Sequence, residues 1–295
     1  MTVHTPVLLQ EVIEGLQLKE GDTVVDATIN AAGHAAEMAK AIGPRGVLIG
    51  IDADPGAIRR ARERLGQLPL DLHLYQGNYR KLGEYLENAK AGPVDAFLFD
   101  LGLSSDQLET SGRGFSFQKD EPLTMTFSED GTLTAEEIVN KWEEQSIADI
   151  IWGYGGERYA KRIARVICDM RVSTPLTRTG DIVTAVSKAI PRRSRHGKIH
   201  FATKTFQALR IAANDELGAL REVLPVAWSA LARGGRIAII TFHSLEDRIV
   251  KQFFIEKRSL GEAELITKKP ITASEEEIHE NPRVRSAKLR IAQKI

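Results

Sequence analysis

The stretch Gly46-Val-Leu-Ile-Gly-Ile-Asp-Ala-Asp-Pro-Gly-Ala-Ile-Arg-Arg-Ala-Arg-Glu-Arg-Leu65 decides the fold. A short, almost wholly apolar run, Gly46 to Asp52, reads as a strand buried on both faces, and Pro55 to Leu65, rich in Ala, Arg and Glu, reads as the helix that follows. The same grammar recurs on both sides. Thr23-Val-Val-Asp26 precedes a loop and a helical stretch, Ala35 to Ala41. Asp71 to Gln76 alternates as a third strand before a polar helix, Leu82 to Ala89, and Val94-Asp-Ala-Phe-Leu-Phe-Asp100 is a fourth buried strand. Strands alternating with helices predict an α/β protein with an open parallel sheet.

The pattern returns near the end, with an amphipathic helix at Glu216 to Ala232, a Gly234-Gly235 stop and a fifth strand, Arg236 to Phe242. A strand-helix-strand unit needs about 30 residues, yet 135 lie between Asp100 and Arg236. The excess is helical in pattern at Thr134–Gly153, Glu157–Arg171 and Gly180–Ile190. The expected organisation is therefore a discontinuous sheet domain, 1–104 with 214–295, carrying an inserted helical substrate domain, 105–213.

Composition narrows the function. Forty Lys plus Arg balance 40 Asp plus Glu, which excludes binding of nucleic acid by bulk charge. With 42% apolar and 27% charged residues the chain is globular. Cys168 is the only cysteine, so no intrachain disulfide or Cys-based metal cluster can form, and a reducing compartment is expected. The start, Met1 to Val12, has neither a basic leader nor an apolar core, and no apolar run approaches a membrane span. We expect a cytoplasmic, soluble protein without membrane contact or metal, and leave a homodimer open.

Ligands of open parallel sheets bind beyond the carboxyl ends of the strands, where the strand order reverses. That rule selects the loop Asp26-Ala-Thr-Ile-Asn-Ala-Ala-Gly33-His34, the acids Asp52 and Asp54, the corner Gly77-Asn-Tyr79, and Asp100-Leu-Gly-Leu-Ser-Ser105. Small residues at Ala31, Ala32 and Gly33 let a ligand approach backbone amides, and an acid at the end of the second strand is placed to grip a ribose. There is no G-x-x-x-x-G-K-[ST] sequence and no full G-x-G-x-x-G fingerprint. A nucleoside cofactor without phosphates, such as S-adenosylmethionine, fits better, although such turns also serve as plain fold punctuation.

Charge is segregated along the chain. From Ile182 through Asn214, 33 residues carry no acid, while Lys188, Arg192, Arg193, Arg195, Lys198, Lys204 and Arg210 all fall there. Such a run reads as a phosphate-backbone surface, with internal pairing to acids such as Glu136 to Glu144 as the alternative. The segment Asn281 to Ile295 repeats it, with Arg283, Arg285, Lys288, Arg290 and Lys294. At the end of the fifth strand, Thr241-Phe-His-Ser-Leu-Glu-Asp247 offers His243 and Ser244. A hydrolase triad fails there for lack of a G-x-S-x-G elbow, and Glu246 and Asp247 read as the acidic first turn of a helix.

These residues bring a resemblance with them. His4-Thr-Pro-Val-Leu-Leu-Gln-Glu-Val12, Asp100 to Leu108, Gly114-Phe-Ser-Phe117, Tyr154-Gly-Gly-Glu-Arg-Tyr-Ala-Lys-Arg-Ile163, Lys198-Ile-His200, Thr205 to Leu217, Phe242-His-Ser-Leu-Glu-Asp-Arg248 and Asn281 to Leu289 are collinear with, and similar to, the motifs of the RsmH (MraW) family. The resemblance covers essentially the whole chain. It implies a class I, Rossmann-like S-adenosylmethionine-dependent methyltransferase sheet with an inserted helical domain, acting on the exocyclic N4 of a cytidine in the decoding region of 16S ribosomal RNA. The small-subunit RNA or the 30S subunit would be its partner. It also implies cofactor contacts at Ala32, Gly33, His34, Asp52, Tyr79, Asp100 and Gln107.

One departure stands out. The family loop is close to Asp-Gly-Thr-x-Gly-x-Gly-Gly-His-Ser, whereas here Ala and Asn replace three or four of the glycines, each adding a Cβ and disfavouring positive φ. Asn30 is the residue best able to keep a left-handed turn.

A cytosine amine is a poor nucleophile, so the enzyme must hold it about 3 to 3.5 Å from the methyl carbon and accept hydrogen bonds from it. Asp100 is the first candidate for that role, and His243 and Ser244 are the second. Arg192, Arg193, Arg195, Lys198, Lys204, Arg283 and Arg285 would hold the RNA backbone, with the target base unstacked and Phe115, Phe117 or Phe201 available to stack on it. Two rivals remain at this point: a methyltransferase of the same fold with another substrate, and a catalytically weakened RNA-binding or ribosome assembly factor.

Overall fold

The computed structural model describes residues 6–128, 131, 133–195, 197 and 199–295, with the side chains of Ser105 and Arg283 outside that description. The chain divides into two compact units, Met1–Gly102 with Leu217–Ile295, and Leu103–Glu216.

The first unit is built on one sheet of eight strands: β1 Thr23–Asp26, β2 Val47–Asp52, β3 Asp71–Gln76, β4 Val94–Asp100, β5 Leu231–Thr241, β6 Ala263–Leu265, β7 Ile271–Thr272 and β8 Lys288–Lys294. They lie in the order β3-β2-β1-β4-β5-β8-β6, with β7 also on β8. β1 to β5 are mutually parallel, and β8 runs antiparallel to β5, pairing Arg236 with Gln293 through Thr241 with Lys288. The apolar runs are continuous because both faces are covered. Val24, Leu48, Leu98 and Ile240 enter one core, while Val25, Ile49, Phe97 and Ile239 enter the other.

Two readings need correction. The helix read as Glu216 to Ala232 ends at Ala230, and β5 begins at Leu231, before the glycines, where a register shift against β4 absorbs the extra chain. The basic C-terminal segment is not a free tail. Its Lys-Leu-Arg-Ile-Ala-Gln-Lys run is β8, with Leu289 to Ala292 buried in the sheet.

In the second unit the described residues form helices, with one isolated bridge, Pro122 to Arg178. The stretch read as one helix from Thr134 is two, Ala135–Lys141 and Glu144–Gly153, separated where Trp142 turns to extended backbone. Helices Ala160–Ser173, Thr179–Ala189 and Thr203–Asn214 complete a core around Ile138, Ile163, Val186 and Leu209.

Candidate cofactor site and nucleic-acid surface

The strand order reverses between β1 and β4, and there the chain gathers its buried carboxyls. Asp26, Asp52 and Asp100 end β1, β2 and β4, respectively, and Asp26 and Asp52 are only 1% and 8% exposed. The loop after β1 is fastened to all three strand ends. The N–H of Ala27 donates to the Leu98 carbonyl, that of Ile29 to the Ile51 carbonyl, and that of Asn30 to Asp52 Oδ2 at 2.9 Å. The Asp100 N–H donates to Thr28 Oγ1 at 2.6 Å. Ile29 is pressed so close to β2 that a Cβ at Gly50 would stand 2.2 Å from its Cδ1, so any larger residue there must displace the Ile29 side chain.

This loop keeps its turn without the glycines of the family pattern. Asn30 holds φ 48° and Ala32 holds φ 56°, both left-handed. Asn30 thus does what its short polar side chain allows, its Nδ2 donating to the Thr28 carbonyl. Ala32 adopts the same region at a cost of about 1 kcal/mol. Gly33 opens the helix Gly33–Ile42, and a Cβ there would meet the ring of Pro6 at 2.4 Å.

The carboxyls differ in what holds them. Both Asp52 oxygens are engaged, Oδ2 by the Asn30 N–H and Oδ1 by the Asp54 N–H, yet burial outweighs these bonds and pushes its carboxyl up to about 6. Burial also lifts Asp26 to about 7, against a hydrogen bond from the Thr28 N–H and with the Asp52 charge adding to the rise. Asp100 is pushed furthest, to about 8, by burial and by the charges of Asp26 and Glu246. Its Oδ1 is buried and has no hydrogen-bond partner among the described residues. Three carboxyls crowded at strand ends, one of them with an orphaned oxygen, suit a ligand that brings positive charge and N–H donors.

His34 is 5% exposed on the first turn of its helix, its Nε2 2.9 Å from the Val7 carbonyl and its Nδ1 3.7 Å from Asp100 Oδ2. Burial drives its pKa down to about 4, so the ring is neutral. Tyr79 sits on a 3-10 turn after β3 and packs edge-on against Phe99. Gln107 belongs to the second unit, where its side chain accepts the Ser104 N–H and completes a capping box. Reading the sequence missed Thr28, whose hydroxyl orients the Asp100 backbone, because nothing in residue type distinguishes it from any loop threonine.

His243 and Ser244 stand at the start of a helix. His243 caps the helix Ser244–Ser259, its Nδ1 accepting the Glu246 N–H while Glu246 Oε2 accepts the N–H groups of Phe242 and His243. Ser244 is the exposed first residue of that helix. Asp247 pairs with Arg290 at 2.7 Å and Lys288 at 3.3 Å, which hold its carboxyl below the usual range in spite of burial. Two cations of the C-terminal run are thereby used inside the sheet, and Lys294 Nζ donates to the carbonyls of Trp228, Ser229 and Leu231. Arg285 remains exposed.

In the second unit the acid-free run divides similarly. Arg195 donates to the carbonyls of Ser187 and Ile190, closing the end of the helix Thr179–Ala189. Arg210 forms a bidentate pair with Glu216, and Lys204 donates to the Gly156 carbonyl. Arg192 and Arg193 stand exposed on a 3-10 turn, as does Lys188 on its helix, while Lys198 lies outside the described residues. Beside that turn is a cavity of about 300 Å³ lined by Arg158, Tyr159, Ser194, His200, Phe201 and Lys204. His200 is exposed and stacks on Phe117 at 4.3 Å and against Phe201 at 4.2 Å, and the Arg158 guanidinium lies 4.7 Å above the Tyr159 ring. Phe115 is buried in the core and stacks on Phe127, so it is not available to a base.

An open sheet of this order, with an antiparallel strand beside β5 and acids at the carboxyl ends around its reversal, defines a class I S-adenosylmethionine-dependent methyltransferase. Among the described residues no helix is long and apolar enough to cross a membrane. The chain belongs to the MraW methylase family, whose model matches residues 1–295. It is 45% identical to the ribosomal RNA small subunit methyltransferase H of Heliobacterium mobile, the alignment covering 99% of both chains. It is 46% identical to the protein of the same name from Koribacter versatilis, over 98% of this chain and 93% of that one.

Proposed function

We propose that the protein transfers a methyl group from S-adenosylmethionine to the exocyclic N4 of a cytidine in the decoding region of small-subunit ribosomal RNA. When bound, the cofactor supplies a methyl group on a positively charged sulfur, whose bonding electron pair stays on sulfur after transfer. Asp52 takes the ribose, Tyr79 and the Ala32-Gly33-His34 turn border the cofactor, and Gln107 is the remaining contact. Asp100 faces the amine. Its orphaned Oδ1 is the observation that carries the reading, since a buried acceptor without a donor is costly unless a ligand provides one.

An exocyclic amine conjugated with its ring attacks only when its N–H groups are held and one of its protons has somewhere to go. Asp100 is raised well above the ordinary carboxyl range, and once the cationic cofactor holds it ionised it is basic enough to receive that proton. The unit Leu103–Glu216 recognises the RNA. Arg192 and Arg193 hold phosphates, while His200 and Phe201 offer a stacking face at the adjoining cavity. Arg285, exposed in the first unit, is a further candidate for the RNA backbone, as are Arg283 and Lys198 on the sequence reading alone. A cytoplasmic location follows from the ribosomal substrate and agrees with a single, unpaired cysteine. The left-handed Asn30 and Ala32 favour an active enzyme over a weakened assembly factor, because the cofactor turn keeps its shape.

The test is nucleoside mass spectrometry of small-subunit RNA after incubation with the protein and S-adenosylmethionine, on naked RNA and on 30S subunits. N4-methylcytidine at one position is expected, and its absence from both substrates would refute the proposal.

A further inference from the structure

We propose that His34 is a positioning residue for methyl transfer, its bare Nδ1 accepting the hydrogen bond of the Asp100 O–H once that carboxyl has taken the substrate's proton. The inference rests on the reading of Asp100 as the carboxyl that faces the amine. It adds a defined protonation state and a partner for the acid so formed.

The geometry fixes the histidine's tautomer. Nε2 lies 2.9 Å from the Val7 carbonyl, which can only accept, so Nε2 carries the proton. In a neutral ring the other nitrogen is then a lone-pair acceptor, and Nδ1 is the atom turned toward Asp100, 3.7 Å from Oδ2. That separation exceeds a hydrogen bond, so the contact forms only when the two groups close on one another. Catalytic hydrogen bonds that are long in a free enzyme tighten when the reacting groups are in place. The charged groups acting on Asp100 are Asp26 and Glu246, both negative, so a proton on Asp100 relieves repulsion from either side. Nothing charged is needed on His34, whose own burial keeps it neutral.

The proton account closes. The amine lone pair forms the bond to the methyl carbon as the carbon–sulfur pair stays with sulfur, and the nitrogen then carries one proton in excess. Its N–H bond breaks with the electrons left on nitrogen. The proton passes to the Asp100 carboxylate, and the new O–H donates to His34 Nδ1. The site resets when Asp100 loses that proton to solvent after product leaves.

Two substitutions separate the ring's two contacts. His34→Gln keeps an amide donor for the Val7 carbonyl but removes the acceptor facing Asp100. His34→Asn keeps a polar group near Asp100 and gives up the Val7 bond. For His34→Gln we expect kcat, measured at saturating S-adenosylmethionine, to fall about tenfold, and the acid limb of the kcat–pH profile to move down by about one unit as the protonated carboxyl loses its acceptor. His34→Asn should instead lower thermal stability and leave that limb closer to wild type. Independently of activity, nitrogen NMR of the free wild-type protein should show His34 neutral with the proton on Nε2 between pH 6 and 8. A proton on Nδ1, or a His34→Gln enzyme with an unmoved pH profile, overturns the proposal. Asp100→Asn distinguishes the two levels: full activity in that variant removes the reading of Asp100 and this inference together, whereas lost activity beside an unmoved His34→Gln profile removes the inference alone.

Discussion

Replacing Asp100 by Asn should make the cofactor-free protein less sensitive to rising pH. The Asp100 carboxyl is pushed up to about 8 in the fold, from an ordinary value of 3.8. Between those values the folded state keeps a proton that the unfolded state has released, so stability falls as pH rises, by about 1.4 kcal/mol per unit for each such group. From pH 5 to 7 Asp100 alone therefore costs about 3 kcal/mol, and the loss levels off once pH passes 8. Asn has the same shape and no charge, so whatever its amide costs in a buried site is the same at every pH. Urea unfolding at pH 5, 6, 7 and 8 reads the difference directly. The stability of Asp100→Asn relative to wild type should grow by about 3 kcal/mol between pH 5 and 7, while both proteins retain the slopes due to Asp26 and Asp52. Parallel pH profiles for the two proteins would refute the reasoning, because they would mean that Asp100 titrates as an exposed carboxyl does. The same charges act oppositely on a cationic cofactor, which prefers the ionised site, so S-adenosylmethionine affinity should strengthen as pH rises from 6 to 8.

Other perturbations test other parts. Ala32→Gly removes the left-handed strain of about 1 to 2 kcal/mol and gives back about 0.4 to 1 kcal/mol through a looser unfolded chain, so a gain of about 0.5 kcal/mol is expected in chemical unfolding, with tighter cofactor binding by calorimetry. Gly50→Ala drives a methyl into Ile29 and Leu74 and should cost about 1 to 3 kcal/mol while weakening S-adenosylmethionine, since Ile29 belongs to the cofactor loop. Arg290→Ala leaves Asp247 buried without its closest cation and should cost about 3 kcal/mol with little change in RNA affinity measured on the protein that remains folded. Arg192→Glu with Arg193→Glu should do the reverse, leaving the melting temperature within a degree or two and weakening RNA binding at least tenfold at 0.1 M salt.

The parallel half of the sheet was open to reading from the chain because burial on both faces leaves an uninterrupted apolar run, and Val94 to Asp100 is such a run. β8 was not, although it lies beside β5 near the middle of the sheet. Its Lys288, Arg290 and Lys294 suggest a solvated or phosphate-bound segment, and the groups that neutralise them, Asp247 and the carbonyls of Trp228, Ser229 and Leu231, stand 41 to 66 residues away in sequence. Charge composition reports how many cations a segment has and carries no information about which of them meet a partner once the chain closes. The same holds for the acid-free run. Arg195 and Arg210 turn inward to a helix end and to Glu216, while Arg192, Arg193 and Lys188 stay exposed.

That difference also separates the two acidic clusters at the strand ends. Thr241 to Asp247 and the trio Asp26, Asp52 and Asp100 look alike as sequence, each a set of polar groups after a buried strand. In the fold Glu246 closes a capping box with His243, and Asp247 is neutralised by Arg290 and Lys288, so both acids have work that stability alone explains. Asp52 and Asp26 are partly satisfied by backbone N–H groups and still lie above the carboxyl range. Asp100 has an oxygen with no donor, a neutral histidine beside the other, and two negative neighbours. Folding by itself would select against such a residue, since an apolar side chain of similar size would be cheaper to bury. The proposed ligand would account for its presence, and this partner-by-partner comparison, more than the type of residue, is what singles out the end of β4 for the proposed chemistry.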